Sequence, residues 1–146
     1  MLNSPCQARV MGSKKKALRL EPGQLPAATA KGYERYLKLV LALPGTEQAT
    51  SYGTAAIKVR GKLLSRWRTE AEGALAIRCE FLDREILLQS QPEVFFLTDH
   101  YANYPMILLR LEKVSRATLM DVAERAWRLV APAKLKAERD AAAAKR

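Results

Sequence analysis

The chain has 146 residues, of which 49% are hydrophobic and 27% charged, and it lacks the apolar run of about 18 residues that a membrane span needs. Length and composition indicate one globular domain and exclude a membrane-spanning protein. The net charge of +10 favours an acidic partner such as a nucleic acid. Because Cys6 and Cys79 are too few for a disulfide framework or a metal cluster, we expect a protein of the reducing cytoplasm.

Most of the net positive charge lies in the two ends, within residues 1–29 and 132–146. Residues 1–28 mix glycine, proline, serine and lysine without periodicity, which predicts a disordered basic leader. The folded domain is predicted to span residues 29–136. Residues 137–146 are alanine-rich and predict a fraying basic helical tail.

An amphipathic helix is predicted at the start of this domain. Tyr33, Tyr36 and Val40 follow helical spacing, Thr29 is the expected N-cap, and Pro44 with the following glycine ends the helix.

A strongly basic segment follows this helix and predicts two short strands folded about Gly61. A three-residue loop of residues 60–62 would pair Val59 with Leu63 and Ala55 with Trp67. All the cations of the segment would then share the face opposite these apolar residues, whereas a two-residue loop would scatter them over both faces. The cations are Lys58, Arg60, Lys62, Arg66 and Arg68.

Two interpretations of this basic hairpin are open. Like charges that lie close across a strand pair repel each other, so a bound anion such as phosphate would relieve the repulsion. Alternatively, lysine and arginine on exposed strand edges serve only to block edge-to-edge association.

The next segments predict a third strand at residues 74–79 and a short helix at 84–89 with Asp83 as its N-cap. Residues 94–98 and 106–111 are dense in β-formers or apolar side chains and predict two further strands.

A long helix closes the domain. Thr118 and Asp121 resemble a capping box, an apolar stripe continues to Val130, and Pro132 breaks or bends the helix. The order of elements predicts an α+β fold, with a mainly antiparallel five-stranded sheet and helices packed on one face.

Aromatic residues in the loop before the last strand form a second candidate site. His100, Tyr101 and Tyr104 have side chains that stack on bases and donate to phosphate, so the loop is a candidate second wing beside the hairpin. The alternative is a loop whose aromatic residues serve packing.

The predicted strands and helices also suggest roles for two arginines and two tryptophans. Arg78 and Arg110 are candidates to extend the basic surface. Trp67 and Trp127 fall on apolar faces and are expected to be core anchors.

Enzyme chemistry finds little support in the sequence. The single histidine, His100, has only Asp99 nearby, and no serine or cysteine lies in a recognisable nucleophile motif. Gly53 and Gly61 are isolated and form no phosphate-binding loop. We therefore expect no catalytic residue, no cofactor and no bound metal.

Five short motifs together resemble the MmcQ/YjbR-like family of small bacterial proteins, over roughly residues 30–136. This resemblance implies a frataxin-like (CyaY-like) α+β fold in a double-wing arrangement, and a DNA-binding role. The chain departs from the usual pattern at Ala55, where proline is common, and at Ile57, where an aromatic residue is common. The motifs lie at residues 43–47, 52–54, 58–62, 99–105 and 126–132.

The leading hypothesis is a non-catalytic DNA-binding or nucleic-acid-binding module that grips phosphates through the hairpin. The competing hypothesis is a protein-interaction or regulatory module with no nucleic-acid role, in which the hairpin charges serve solubility.

Overall fold

A computed structural model describes residues 27–68 and 74–144, so nearly all of the predicted leader lies outside the described residues. A single turn of 3-10 helix, Asp99–Tyr101, precedes the last strand in the chain. The helices of the described residues are α1 (Ala27–Leu41), α2 (Phe81–Ser90), α3 (Arg116–Val130) and α4 (Ala133–Ala144). The strands are β1 (Thr46–Ser51), β2 (Thr54–Val59), β3 (Lys62–Arg68), β4 (Ala74–Arg78), β5 (Phe95–Phe96) and β6 (Met106–Leu109).

The strands form one antiparallel sheet in the order β1-β2-β3-β4-β6-β5. The predicted α+β class with a mainly antiparallel sheet is confirmed, although the sheet has six strands where five were predicted. The additional strand is β1, an edge strand whose sequence, TEQATS, is almost wholly polar. An edge strand has one neighbour and little apolar surface to bury, so it lacks the pattern from which strands are predicted.

The helices cover one face of the sheet, and the main core lies between the helices and this face. Trp67 of β3 and Trp127 of α3 are fully buried there, which confirms both as core anchors. The Trp127 indole N–H donates to the carbonyl of Pro44 at 2.8 Å. The Tyr36 hydroxyl donates to Ser65 in the same core, and burial raises the pKa of Tyr36 well above its usual value.

The opposite face of the sheet, which we call the open face, is covered by none of the helices α1 to α4, and the 3-10 turn Asp99–Tyr101 packs on part of it. A second, smaller cluster of buried side chains lies on it. Its members are Ala74, Ala76, Tyr101, Met106 and Leu108.

The predicted N-caps are wrong in all three helices. Thr29, Asp83 and Thr118 each lie inside the first turns of their helices. In α3 the cap is Ser115, whose hydroxyl oxygen accepts from the Thr118 N–H at 3.1 Å. Serine, threonine and aspartate cluster near helix starts, so residue type alone locates a helix start to within a few residues.

Three predicted strands are longer than the observed ones, because β4 ends at Arg78, β5 has only two residues and β6 ends at Leu109. Beyond these ends Cys79, Val94 and Leu111 are buried and Leu97 is half-buried, although none of them belongs to a strand. At the ends of these strands, apolar residues therefore indicated burial and not strand structure.

The C-terminal helix α4 packs back on α3. Leu135 is buried in the main core, and the Arg139 guanidinium lies 2.6 Å from the Glu124 carboxylate. Arg128 pairs with Asp140 at 2.7 Å. The predicted domain boundary after residue 136 therefore falls within a helix that is held to the domain.

Removing the Glu124 charge should weaken this packing in a pH-dependent way. Hydrogen bonds and charge interactions with Arg139 and Arg128 hold the pKa of the Glu124 carboxyl below its usual value. A carboxyl with a lowered pKa stabilises the fold above its unfolded-state pKa, and this contribution is lost as pH falls through the folded-state pKa. We expect Glu124→Gln to lower the thermal unfolding midpoint at pH 7, with a difference from wild type that shrinks below about pH 4.

The matched control is Glu138→Gln, which removes an exposed carboxylate from α4 that forms no ion pair with the described residues. It should leave the midpoint almost unchanged at either pH. A Glu124→Gln difference that does not shrink as the pH is lowered through the acid range would contradict the charge interaction as its cause.

Candidate functional site

The basic hairpin turns through two residues. Arg60 and Gly61 both have positive φ, 51° and 85°, and Val59 pairs with Lys62. The predicted three-residue loop, with its pairing of Val59 and Leu63, is therefore wrong. Two-residue turns with positive φ at both positions match the right-handed twist of a strand pair, and glycine adopts this conformation without steric cost.

A β-bulge in β3 changes the register just beyond this turn. Lys58 pairs with Leu63, but Ile57 pairs with Ser65, so Leu64 is an additional residue on β3. Leu64 and Ser65 both point into the helix-covered core. The bulge thus moves all later residues of β3 by one position relative to β2.

Beyond the bulge the strands have the predicted offset. Ala56 pairs with Arg66, which is the same register as the predicted pairing of Ala55 with Trp67. The sequence prediction was therefore wrong at the tip of the hairpin and right at its base.

The five predicted cations do not share one face. Arg66 and Arg68 pair with the open-face residues of β4, and Lys58 lies on this face as well. Lys62 is on the opposite face, because its partner in β2 belongs to the main core. Arg60 lies in the turn itself.

Lys58 has an acidic neighbour on the open face. It pairs directly with Glu47 of β1, and residues opposite each other in a sheet lie on the same face. The positive potential of this face therefore depends chiefly on its arginines.

The open face and the loop before β6 enclose a cleft of about 490 Å³, which we call the aromatic cleft. Its arginines are Arg66, Arg68 and Arg78. Its aromatic side chains are Tyr52, His100, Tyr101 and Tyr104. The structure thus brings the two separately predicted sites, the hairpin and the aromatic loop, into one concave surface.

Arg66 joins the two sides of the cleft. Its Nε donates to the carbonyl of Ser51 at 3.3 Å and to Thr54 Oγ1 at 3.2 Å, and its Nη1 donates to the Tyr101 hydroxyl at 3.3 Å. Its guanidinium also lies 5.2 Å from the centre of the Tyr52 ring. All of these partners are neutral, so the charge of Arg66 is not cancelled.

The other arginines of the cleft are held in a similar way. The Nε of Arg78 donates to the carbonyl of Leu63 at 3.0 Å, and within residues 27–68 and 74–144 its terminal nitrogens have no hydrogen-bond partner. The guanidinium of Arg68 lies 5.3 Å from the centre of the Tyr101 ring. A guanidinium group over an aromatic ring is attracted to the ring face, and this contact helps to position the group.

The aromatic loop combines packing with exposure. Tyr101 is buried, which is the packing role of the alternative interpretation, and the edge of the His100 ring meets it with the ring centres 4.7 Å apart. Tyr104 is 55% exposed at the cleft, and its ring centre lies 6.1 Å from that of His100.

A buried arginine of α2 holds this loop in place. Arg84 is only 6% exposed, and its terminal nitrogens donate at 2.8–3.2 Å to four backbone carbonyls, three in the loop and one at the first residue of β6. The Phe81 ring centre lies 4.7 Å from the guanidinium carbon. The carbonyls belong to Tyr101, Ala102, Tyr104 and Met106.

Sequence reasoning missed the roles of Tyr52 and Arg84. Tyr52 lies in the turn between β1 and β2 with a φ of 52°, and its side chain is 84% exposed. A large apolar residue at positive φ and in solvent is unusual, and the dipeptide Tyr52-Gly53 was the available signal. Arg84 carried no signal, because a charged residue in a helix is ordinarily exposed.

Arg110, a candidate extension of the basic surface, stacks on a ring outside the cleft lining. Its guanidinium carbon lies 4.2 Å from the centre of the Phe96 ring.

The described residues show neither a metal-binding cluster nor a membrane-spanning helix. No cluster of three or more His, Cys, Asp or Glu side chains among them is arranged to hold a metal ion. None of the helices within 27–68 and 74–144 has the length and apolarity of a membrane span. Burial raises the pKa of the Cys79 thiol to about 11, which makes it a poor nucleophile at neutral pH.

A family model described as YjbR matches residues 41–129, which is more than half of the chain. The chain belongs to the YjbR family. The match extends from the end of α1 almost to the end of α3 and includes every residue that lines the aromatic cleft. No curated protein and no solved structure is a significant match to this YjbR-family chain.

Proposed function

We propose that this YjbR-family protein is a non-catalytic nucleic-acid-binding module, which holds phosphates through the arginines of the aromatic cleft. The observation that supports this proposal most is the convergence of Arg66, Arg68 and Arg78 on one concave surface with aromatic walls. Arg66 and Arg78 donate only to neutral oxygens among the described residues, so each keeps its full charge for a ligand. Arginine is well suited to phosphate because its planar fork presents several donors at once.

The two sides of the cleft would act as the two wings of the double-wing arrangement. One wing is the β2–β3 hairpin, and the other is the loop of residues 99–105. Lys58 and Arg60 would extend phosphate contacts along the hairpin, whereas Lys62 lies on the other face of the strand pair, and the basic ends would add non-specific attraction. We also propose a cytoplasmic location, where such a polyanion is available.

Salt dependence tests the proposal. Log affinity falls linearly with log salt, with a slope of about −0.9 per phosphate contact on duplex DNA and about −0.7 on single strands. If Arg66 and Arg68 each contact one phosphate, the double variant Arg66→Gln/Arg68→Gln should flatten the slope by about 1.8 on duplex or about 1.4 on single strands. Fluorescence anisotropy of labelled mixed-sequence oligonucleotides across a salt series measures this change.

The matched control is Lys31→Gln/Lys38→Gln, which removes two exposed charges from α1 on the helix-covered side of the sheet. This variant should keep the wild-type slope. Both variants are first compared with wild type by thermal unfolding, because Arg66 also forms structural hydrogen bonds. Equal slopes in all three folded proteins would remove the cleft from the proposal.

A protein-interaction module is the second candidate, and one observation favours it. Phe81, Leu82 and Ile86 of α2 are all about half exposed or more, so this helix presents apolar side chains to solvent. Exposed apolar groups of this kind are typical of protein contacts. If the chain binds a protein partner, and this binding requires Leu82 but neither Arg66 nor Arg68, the result would support this candidate.

A further inference from the structure

We propose that the aromatic cleft accepts a single unstacked nucleobase, so that the partner is single-stranded nucleic acid rather than an intact duplex. This inference rests on the proposed function and specifies the form of its ligand. It is carried by the shape of the cleft and by the chemistry of its lining.

Phosphate binding alone does not account for the lining. Beside the arginines, the cleft has the apolar side chains of Leu63 and Met106, and Tyr101 is packed beneath His100. A phosphate gains nothing from apolar or aromatic surface, whereas a nucleobase is flat, weakly polar on its faces and buries well against such groups. The ligand of this cleft should therefore have a planar ring next to a phosphate.

Two exposed tyrosines are placed to stack on that ring. Tyr104 is 55% exposed and Tyr52 is 84% exposed, and they come from opposite sides of the cleft, the loop before β6 and the β1–β2 turn. His100 lies beside Tyr104 with an angle of 37° between the ring planes. Ring faces that solvent can reach are the surfaces on which unpaired bases stack in single-strand-binding proteins.

The polar groups of the cleft have complementary chemistry to a nucleotide. Guanidinium groups are donors only, so the ligand must supply acceptors. A nucleotide has them in its phosphate oxygens and in the carbonyl oxygens and ring nitrogens of its base. Arg66 and Arg78 line the same cleft as the apolar side chains of Leu63 and Met106, so donors and apolar surface are both present in it.

The concave shape argues against an intact duplex. Base faces within a duplex are covered by stacking, and a duplex presents to protein only its phosphates and the edges of its bases. A cleft of about 490 Å³ is in the size range of small-ligand sites and is bordered by the hairpin and the loop. Only a base that has left the stack can enter it.

Two matched single-stranded oligonucleotides, each bound to the full chain, test this inference. One is a fluorescein-labelled oligo-dT, and the other has the same length and phosphate count but abasic sugars throughout its centre. Both attract the basic ends equally, so the ratio of their dissociation constants reports the base. A single stacked base should tighten binding to oligo-dT by about 5- to 150-fold at the same salt concentration.

Variants locate the effect in the cleft. Tyr104→Leu and Tyr52→Leu keep an apolar side chain and remove the ring, so each should lower the ratio of the two affinities toward one. Leu82→Ala, an exposed apolar position on α2 away from the cleft, should keep the wild-type ratio.

The outcomes separate this inference from the function on which it rests. Equal wild-type affinity for the base-bearing and abasic strands overturns the nucleobase site and leaves phosphate binding intact. Tighter binding to a matched duplex than to oligo-dT overturns it as well. Failure to bind any of these probes at low salt overturns the proposed function itself.

Discussion

Arg84→Met should destabilise the protein by about 2 to 4 kcal/mol and release the aromatic loop. The Arg84 guanidinium is buried and donates to three loop carbonyls and to the carbonyl of Met106 at the start of β6. Hydrogen bonds from a charged donor contribute about 1.5–3 kcal/mol each, and a buried carbonyl that loses its donor costs a further 1–3 kcal/mol. Because water can reach part of the released loop, the total should remain below the sum of these contributions.

The charge of Arg84 makes the effect larger than that of an ordinary buried side chain. None of the ion pairs formed by the described residues includes Arg84, so the carbonyl dipoles and the Phe81 ring stabilise its charge. A lysine has the charge but lacks the planar fork that reaches four acceptors. Arg84→Lys should therefore recover only a small part of the lost stability.

Arg110→Met is the matched control. Arg110 also lies over an aromatic ring, that of Phe96, but it is only half-buried and has one long hydrogen bond, 3.5 Å to the Glu93 carbonyl. Its loss should cost about 1 kcal/mol or less. Urea unfolding measures the free energy of unfolding of both variants, provided that the m-value is unchanged. Equal losses of stability in Arg84→Met and Arg110→Met would contradict a special role of Arg84 in holding the loop.

Arg84→Met should also weaken the preference of the cleft for a strand that carries bases over an abasic strand. Tyr104 belongs to the loop whose carbonyls Arg84 holds, so releasing the loop moves this ring away from the hairpin. The affinity ratio between oligo-dT and the abasic strand should fall in Arg84→Met. The phosphate contacts of Arg66, on the hairpin, should persist.

The main helices and the hairpin could be predicted from sequence because local patterns determine them. Tyr33, Tyr36 and Val40 lie on one face of α1 by their spacing alone, and all three are buried. Gly61 marks the hairpin turn for an equally local reason, since few residues adopt positive φ without steric cost.

The register of that hairpin could not be obtained in the same way. Leu63 and Leu64 are adjacent and equally apolar, so hydrophobic pattern does not indicate which of them faces the core. The bulge resolves this ambiguity, because it permits a two-residue turn at Gly61 and still directs Arg66 to the open face. Bulges are selected by tertiary packing, in this case that of Ser65 against Tyr36, and residue type alone does not reveal them.

The aromatic cleft was predictable only as separate parts. The hairpin and the loop of residues 99–105 were both identified from sequence. Their meeting depends on the strand order β3-β4-β6, in which a single strand, β4, separates β3 from the start of β6. Strand order is a long-range property. The contributions of Tyr52 and Arg84 follow from that order and so lay beyond any local pattern.

Gly32→Ala should destabilise the protein by about 2 kcal/mol, although helix propensity predicts the opposite sign. Alanine is favoured over glycine within a helix by about 1 kcal/mol, and Gly32 lies in the middle of α1. A Cβ atom at this position would lie 2.6 Å from the backbone oxygen of Leu111 and 2.9 Å from its carbonyl carbon. Leu111 is buried just after β6, so neither the helix nor the strand end can yield without disturbing the core.

The comparison with Gly61→Ala separates lack of space from backbone strain. A Cβ atom on Gly61 would meet no atom within 4 Å, but its φ of 85° is unfavourable for alanine and should cost about 1–2 kcal/mol. At Gly32 the backbone is helical and the whole cost comes from overpacking, typically about 1–3 kcal/mol beyond the propensity gain. Urea midpoints of the two variants give the comparison. A Gly32→Ala protein as stable as wild type would mean that α1 does not approach the end of β6 this closely, and α1 would then lose the contact that sets its position over the sheet.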